Sequence, residues 1–189
     1  MEKNIYLFRH GETNYNLHRL RQGCGINAGL NATGQKQAEA LAQYLKDKGI
    51  EIIYSSPLQR ALETSQIISL AIYAPVIIKE AFTEGNFGDA EGLHEDEVKT
   101  RWPEIISGWY VKDFEMDTGF PSGETKAQIQ KRMFNALNSL LETPEKTIAV
   151  SSHSAALRFL LMKIGGGTDK IPNAQAILVK FANNIWKIC

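Results

Sequence analysis

Short apolar runs alternate along this chain with longer stretches of helical spacing. Ile5-Tyr-Leu-Phe8 is one such run, ending at Arg9, and predicts a buried strand. Residues 33–48 set Ala38, Leu41, Ala42 and Leu45 on one helical face, with Thr33 as the expected cap and Gly49 as the stop. Ile50–Tyr54 predicts a second strand. Ser56-Pro57-Leu58-Gln59 has the form of a capping box with Pro at the first helical position, so a helix is expected from there to about residue 71. Pro75–Lys79 reads as a short strand. Ser122 is the expected cap of a helix carrying Ile129, Met133, Leu137 and Leu140 on one face. Thr147–Ser151 predicts a strand, and Ala155–Ile164 a helix stopped by Gly165-Gly166-Gly167. Apolar stretches at 175–181 and 184–189 flank Asn183-Asn184 and predict a closing hairpin. Residues 85–122, with scattered Gly, Pro and aromatics, show no clear period.

Strands alternating with helices indicate an α/β fold. The expectation is a three-layer sandwich: a mostly parallel central sheet with helices on both faces. In such sheets ligands bind at the carboxyl ends of the strands. That rule directs attention to Arg9-His10-Gly11, to Ser55-Ser56 and to Ser152-His153.

Composition narrows the classes. The chain has 189 residues, 21 Lys plus Arg and 21 Asp plus Glu. The length suits a single domain over residues 1–189, and no repeat or linker interrupts it. Zero net charge argues against a nucleic-acid partner. Cys24 and Cys189 are too few for a disulfide framework and suit a reducing compartment. The first residues lack the pattern of a signal peptide, and no stretch has the length of a membrane span. A cytoplasmic protein without membrane contact is expected. The oligomeric state is left open, a dimer included.

The strand ends carry the chemistry. Arg9 and His10 leave the first strand together, and Gly11 permits a sharp turn. Arg60 sits one turn into the helix after the second strand. His153 stands where the fourth strand meets its helix. Two guanidiniums and two imidazoles are thus expected at one sheet edge. Arg presents a planar fork matched to phosphate oxygens. A neutral imidazole is a competent nucleophile near neutral pH. The helix start after His153 adds N–H groups suited to an anion. Phosphoryl transfer further needs a proton donor for the leaving alcohol. Glu84, among Phe82, Gly85 and Phe87, is the first candidate, and Glu91 the second.

These residues stand in recognisable motifs. Leu7-Phe-Arg-His-Gly-Glu-Thr13 with Asn16 resembles the opening signature of the histidine phosphatase superfamily, the phosphoglycerate-mutase-like family. Tyr54-Ser-Ser-Pro-Leu-Gln-Arg-Ala-Leu-Glu-Thr64 resembles its second motif. Glu84-Gly-Asn-Phe-Gly88 with Glu91-Gly92 resembles its acid loop. Ser122-Gly-Glu-Thr125 is similar to a stretch in its small phosphatases, and Val150-Ser-Ser-His153 to its last motif. The resemblance implies that His10 becomes the phosphohistidine. It implies that Arg9, Arg60 and His153 bind the phosphoryl oxygens, with Asn16 as a further donor. Glu84 would protonate the leaving group and then activate water. Gln22, Gly23, Cys24 and Ser154 would also meet the substrate. No metal or organic cofactor is implied, and the partner is a small phosphorylated substrate. Ser154 stands where the family often has Gly. Asn27-Ala28-Gly29 replaces a segment that often holds Asp before Pro-Leu.

Hydrolase and mutase share the first step and differ in the acceptor. Residues 85–122, the stretch expected to cover the pocket, hold nine acids against three bases, which speaks against a bisphosphate ligand and for a phosphomonoester hydrolase. The alternatives are a phosphoglycerate-mutase-type phosphoryl transferase and a protein that only binds a phosphorylated ligand. The aromatics Phe87, Trp102, Trp109, Tyr110 and Phe120 are read as core before pocket floor. His94-Glu-Asp-Glu97 is read as a solvated acidic face, since neighbouring helix residues point apart. Asn31-Ala-Thr33 is read as an accidental glycosylation match, and Gly165-Gly-Gly-Thr168 as a helix stop.

Overall fold

A computed structural model describes residues 2–112 and 115–189. Its centre is a six-stranded sheet in the order β3-β2-β4-β1-β5-β6. The strands are β1 (Lys3–Arg9), β2 (Ile52–Ser55), β3 (Val76–Ile78), β4 (Thr147–Ser152), β5 (Ala176–Ala182) and β6 (Ile185–Ile188). The pairs β1–β4, β4–β2 and β2–β3 are parallel, while β5 runs antiparallel to β1 and β6 to β5. The closing hairpin turns through Asn183 and Asn184, both at positive φ, as a tight right-twisted turn requires.

The helices among the described residues are α1 (Asn14–Leu17), α2 (Ala32–Leu45), α3 (Gln59–Ile72), α4 (Glu95–Arg101), α5 (Pro103–Trp109), α6 (Lys126–Ser139) and α7 (Ser154–Lys163). Alternation along β1 sends Ile5 and Leu7 into one core, with residues of α6 and α7. Phe8 faces the other core, beside Leu41 and Leu45 of α2 and Ile68 of α3. Both faces of the inner strands are therefore dry, as parallel strands demand. The expected three-layer α/β sandwich is present.

Several helix starts differ from the sequence expectation because a neighbouring group holds the hydroxyl or offers a better cap. Asn31, not Thr33, caps α2 and accepts from the Gly34 N–H at 2.8 Å. Thr125, not Ser122, caps α6 in a reciprocal box with Gln128, while Ser122 turns at φ 61°. Ser56 does not cap α3; the helix starts at Gln59 after Leu58, with no side-chain cap. The Ser56 hydroxyl is taken by the Leu58 N–H at 3.3 Å and by His153.

The segment 85–122 contains α4, α5 and a 3-10 turn at Gly88–Ala90, apart from Asp113 and Phe114, which lie outside the described residues. Phe87, Trp102, Trp109 and Phe120 form an edge-to-face cluster in the core, as expected, while Tyr110 is partly exposed. His94 caps α4, and Glu95 and Asp96 pair with Arg19 and Lys99 on an exposed face. No group of metal-ligating side chains is found among the described residues. No helix among them is long and apolar enough to cross a membrane.

Candidate active site

The carboxyl ends of β1 and β4 deliver the central pair. His10 follows β1 and donates its backbone N–H to the Ser152 carbonyl at 3.1 Å. His153 follows β4, and the two imidazole centroids are 5.1 Å apart. The backbone after His10 has no room for side chains: a Cβ on Gly11 would overlap the Gly34 carbonyl, and one on Gly34 would overlap Glu12. Gly11 donates to Thr64 Oγ1 at 3.0 Å, which ties the turn to α3.

The two rings have defined tautomers. His10 Nδ1 lies 2.7 Å from the Gly11 carbonyl, an acceptor only, so Nδ1 carries the proton and Nε2 keeps a lone pair. His153 Nδ1 accepts from Arg60 Nε at 3.2 Å, since a guanidinium can only donate. Its Nε2 therefore carries the proton and donates to Ser56 Oγ at 2.8 Å. Burial first, then the nearby Arg60, pushes both imidazoles well below the ordinary histidine range. Both are neutral at neutral pH.

Arg60 is fully buried and also donates to the Ile26 carbonyl at 2.7 Å and the Gly23 carbonyl at 3.1 Å. Arg9 donates to the Ile171 carbonyl at 2.9 Å, and its buried Nε has no hydrogen-bond partner among the described residues. Burial lowers both guanidinium pKa values to about 10, against the attraction of Glu84.

Glu84 occupies the start of α7. Its carboxylate accepts from the N–H groups of Ala156 at 2.9 Å, Ala155 at 3.2 Å and Gly85 at 3.0 Å. Two of the helix N–H groups expected to meet a substrate anion are thus held by the protein's own carboxylate. Arg132 steadies this loop through the carbonyls of Ala81 and Thr83 and an ion pair with Glu124 at 2.9 Å. Glu91 accepts from the Gly25 and Phe87 N–H groups, each at 3.0 Å, and so clamps two loops together.

A cavity of about 500 Å³ opens over this edge, lined by Arg9, His10, Asn16, Gln22, Glu84 and Ser154 among others. Asn16 Oδ1 accepts from the Thr13 N–H and from Asn173 Nδ2, which leaves its amide nitrogen as a donor. Gln22 Oε1 accepts from Thr13, and its buried Nε2 has no hydrogen-bond partner among the described residues. Arg60 and His153 lie behind this lining, against His10. Gly23 and Cys24 also stand off it; the Cys24 N–H is held by the Gly85 carbonyl at 3.0 Å, and burial pushes its thiol pKa up.

The charge of the wall differs from expectation. Arg9, Arg19, Arg21, Arg158 and Lys170 line the cavity, against Glu12, Glu84 and Glu95. Of the acids of 85–122, Glu95 alone among the described residues reaches this wall. The cations come from outside that stretch, so its local balance does not set the field in the cavity. Sequence reasoning missed Arg21, Arg158, Thr64 and Asn173. The helical spacing from Ser154 to Arg158 was a signal for one of them; nothing local marked Asn173.

The profile of the histidine phosphatase superfamily (branch 1) matches residues 5–187. The chain belongs to this superfamily. It is 33% identical over 97% of its length to the uncharacterized phosphatase PhoE of Bacillus subtilis, covering 91% of that protein. It is 31% identical over 97% of its length to a metal-independent phosphoserine phosphatase of Arabidopsis thaliana, covering 79% of it. It is 34% identical over 96% of its length to a probable phosphoglycerate mutase, GpmB, of Proteus mirabilis, covering 86% of it. A mycobacterial glucosyl-3-phosphoglycerate phosphatase superposes with a TM-score of 0.89 at 21% identity, over 99% of this chain and 97% of that one. At that identity the superposition speaks for the fold.

Proposed function

We propose that the chain is a metal-independent phosphomonoester hydrolase, one catalytic domain acting through phosphohistidine on a small phosphorylated metabolite in the cytoplasm. The observation that carries this is His10: neutral, on the cavity wall with Arg9 and Glu84, its Nδ1 proton held by Gly11.

In the first step the His10 Nε2 lone pair attacks phosphorus and the ester P–O bond breaks. Glu84 gives its proton to the departing oxygen. Arg9, the amides of Asn16 and Gln22, and the Ser154 N–H meet the equatorial oxygens, whose charge such donors stabilise. Arg60 sets the His153 ring, whose Nε2–H turns from Ser56 to a phosphoryl oxygen. In the second step water attacks the phosphoryl group, Glu84 takes its proton, and the N–P bond breaks to regenerate His10. Gly23 and Cys24 act through the loop that Arg60 and Glu91 hold.

Glu84, not Glu91, is assigned as the acid, because it lines the cavity with His10 while Glu91 stands off that wall. The test is turnover of p-nitrophenyl phosphate with and without EDTA, plus an acid-labile, alkali-stable phosphoenzyme trapped from labelled substrate. Turnover that EDTA leaves intact and label lost in His10→Ala are expected. Interconversion of 2- and 3-phosphoglycerate without phosphate release would replace the hydrolase with a mutase. Tight ligand binding without either reaction would leave a binding protein.

A further inference from the structure

The cavity holds more positive charge than one phosphoryl group requires. Among the acids on its wall, Glu95 is engaged by Arg19 and Lys99, Glu12 accepts from Asn31, and Glu84 is held by backbone N–H groups. No ion pair among the described residues involves Arg21, Arg158 or Lys170.

Arg21 and Arg158 are fixed in place by aromatic faces. The Arg21 guanidinium lies 4.9 Å from the Phe120 ring centroid and 5.5 Å from that of Phe87, and its buried Nε has no hydrogen-bond partner among the described residues. Arg158 is 4% exposed, lies 4.1 Å from the Tyr110 centroid, and donates from Nε to the Asp169 carbonyl at 3.2 Å. Its charge also bears on Arg9, with which it shares the wall of the first cavity. Arg158 is the buried one of the two and Arg21 is half-buried; burying a cation without a counter-ion costs stability, and aromatic stacking offsets only part of that cost. An incoming anion would supply the rest.

There is also room for it. A second cavity of about 370 Å³ adjoins the first and shares Arg21, Glu95, Tyr110, Arg158 and Lys170 with it. The two guanidiniums therefore line both cavities, whereas Arg9, His10 and Glu84 line only the first.

We propose that Arg21 and Arg158, with Lys170 at the rim, form a second oxyanion subsite, so that the preferred substrates are phosphomonoesters bearing another carboxylate or phosphate on the leaving group. This rests on the hydrolase reading above. The second anion is bound and not transferred, because His10 serves the other end. Guanidinium forks bind either oxyanion by paired, charge-assisted hydrogen bonds.

The test compares kcat/KM for phosphate release within matched pairs. Phosphoserine against phosphoethanolamine adds a carboxylate; 1,3-propanediol bisphosphate against its monophosphate adds a phosphate. A preference of about tenfold or more in either pair is expected, the worth of one charge-assisted hydrogen bond. The pair that shows it identifies the anion. Arg21→Gln is expected to bring the ratio toward one, Arg21→Lys to keep part of it, and Lys170→Met, at an exposed position, to reduce it without risk to folding. Ratios near one in both pairs, or ratios indifferent to Arg21→Gln and Lys170→Met, overturn the subsite. Turnover of p-nitrophenyl phosphate separates the two readings: its absence in the wild type fails the hydrolase itself, whereas its presence with flat ratios fails the subsite alone.

Discussion

Ser56 Oγ lies 2.8 Å from Nε2 of His153, and this contact, not helix capping, is what the hydroxyl is for. Both residues are fully buried. Removing the hydroxyl leaves the imidazole N–H without an acceptor in a dry site. Ser56→Ala is therefore expected to cost about 1–3 kcal/mol in urea denaturation. The freed ring is also expected to lower kcat on p-nitrophenyl phosphate by about tenfold. Unchanged values for both would mean that the ring is held by Arg60 alone.

Glu84 and Glu91 make opposite predictions about leaving groups. Glu84→Gln cannot supply a proton, so alkyl phosphates should slow by about 100-fold or more, and p-nitrophenyl phosphate, with its better leaving group, by much less. Glu91→Gln weakens the clamp between Gly25 and Phe87, and should slow both ester classes by a similar factor. The ratio of kcat values on the two classes reads the difference. A leaving-group effect in Glu91→Gln would exchange the roles.

Acid stability follows from the two histidines. Both have folded-state pKa values well below the ordinary 6.5 of the unfolded chain. Above about pH 6.5 neither state binds these protons, and they contribute no slope. As pH falls below that point the unfolded chain takes up protons that the folded chain refuses, so stability declines until the depressed folded values are reached. Urea unfolding at pH 7.5 and pH 5.5 should show this fall, at about 1.4 kcal/mol per pH unit for each histidine. His10→Gln should remove one share of it. A wild-type curve without that slope would contradict the neutral, buried pair.

Gly34 is predicted to be as sensitive as any residue on the cavity wall, although it touches no substrate. A Cβ there meets the Glu12 backbone, which is not the end of a flexible side chain and cannot swing aside. Gly34→Ala should lose about 1–3 kcal/mol and shift the turn that carries His10. Thermal unfolding and kcat together check this; an alanine variant equal to wild type in both would show that α2 can slide.

The strands, the helices α2, α3, α6 and α7, and the closing hairpin were legible from local pattern, because burial imposes period on an element wherever it packs. His10, Arg9, Arg60 and His153 were legible for a related reason. Each lies at a strand end or in the first turn of the helix that follows, and parallel strands bring such positions to one edge. Helix starts were less legible. Asn31 and Thr33, or Ser122 and Thr125, offer similar capping groups, and which one caps depends on neighbours far along the chain.

What the tertiary structure alone decided is the field around the nucleophile. Arg21 is separated from Arg158 and Lys170 by more than a hundred residues of sequence, and apart from the one-turn spacing of Arg158 from Ser154 nothing announces that they share a wall with His10. The acids of 85–122 suggested the opposite sign, because electrostatics acts through distance in space and chain order does not record it. The amino-acid order determined which chemistry the strand ends could hold; packing determined which charges face it, which tautomers the imidazoles keep, and where Glu84 points.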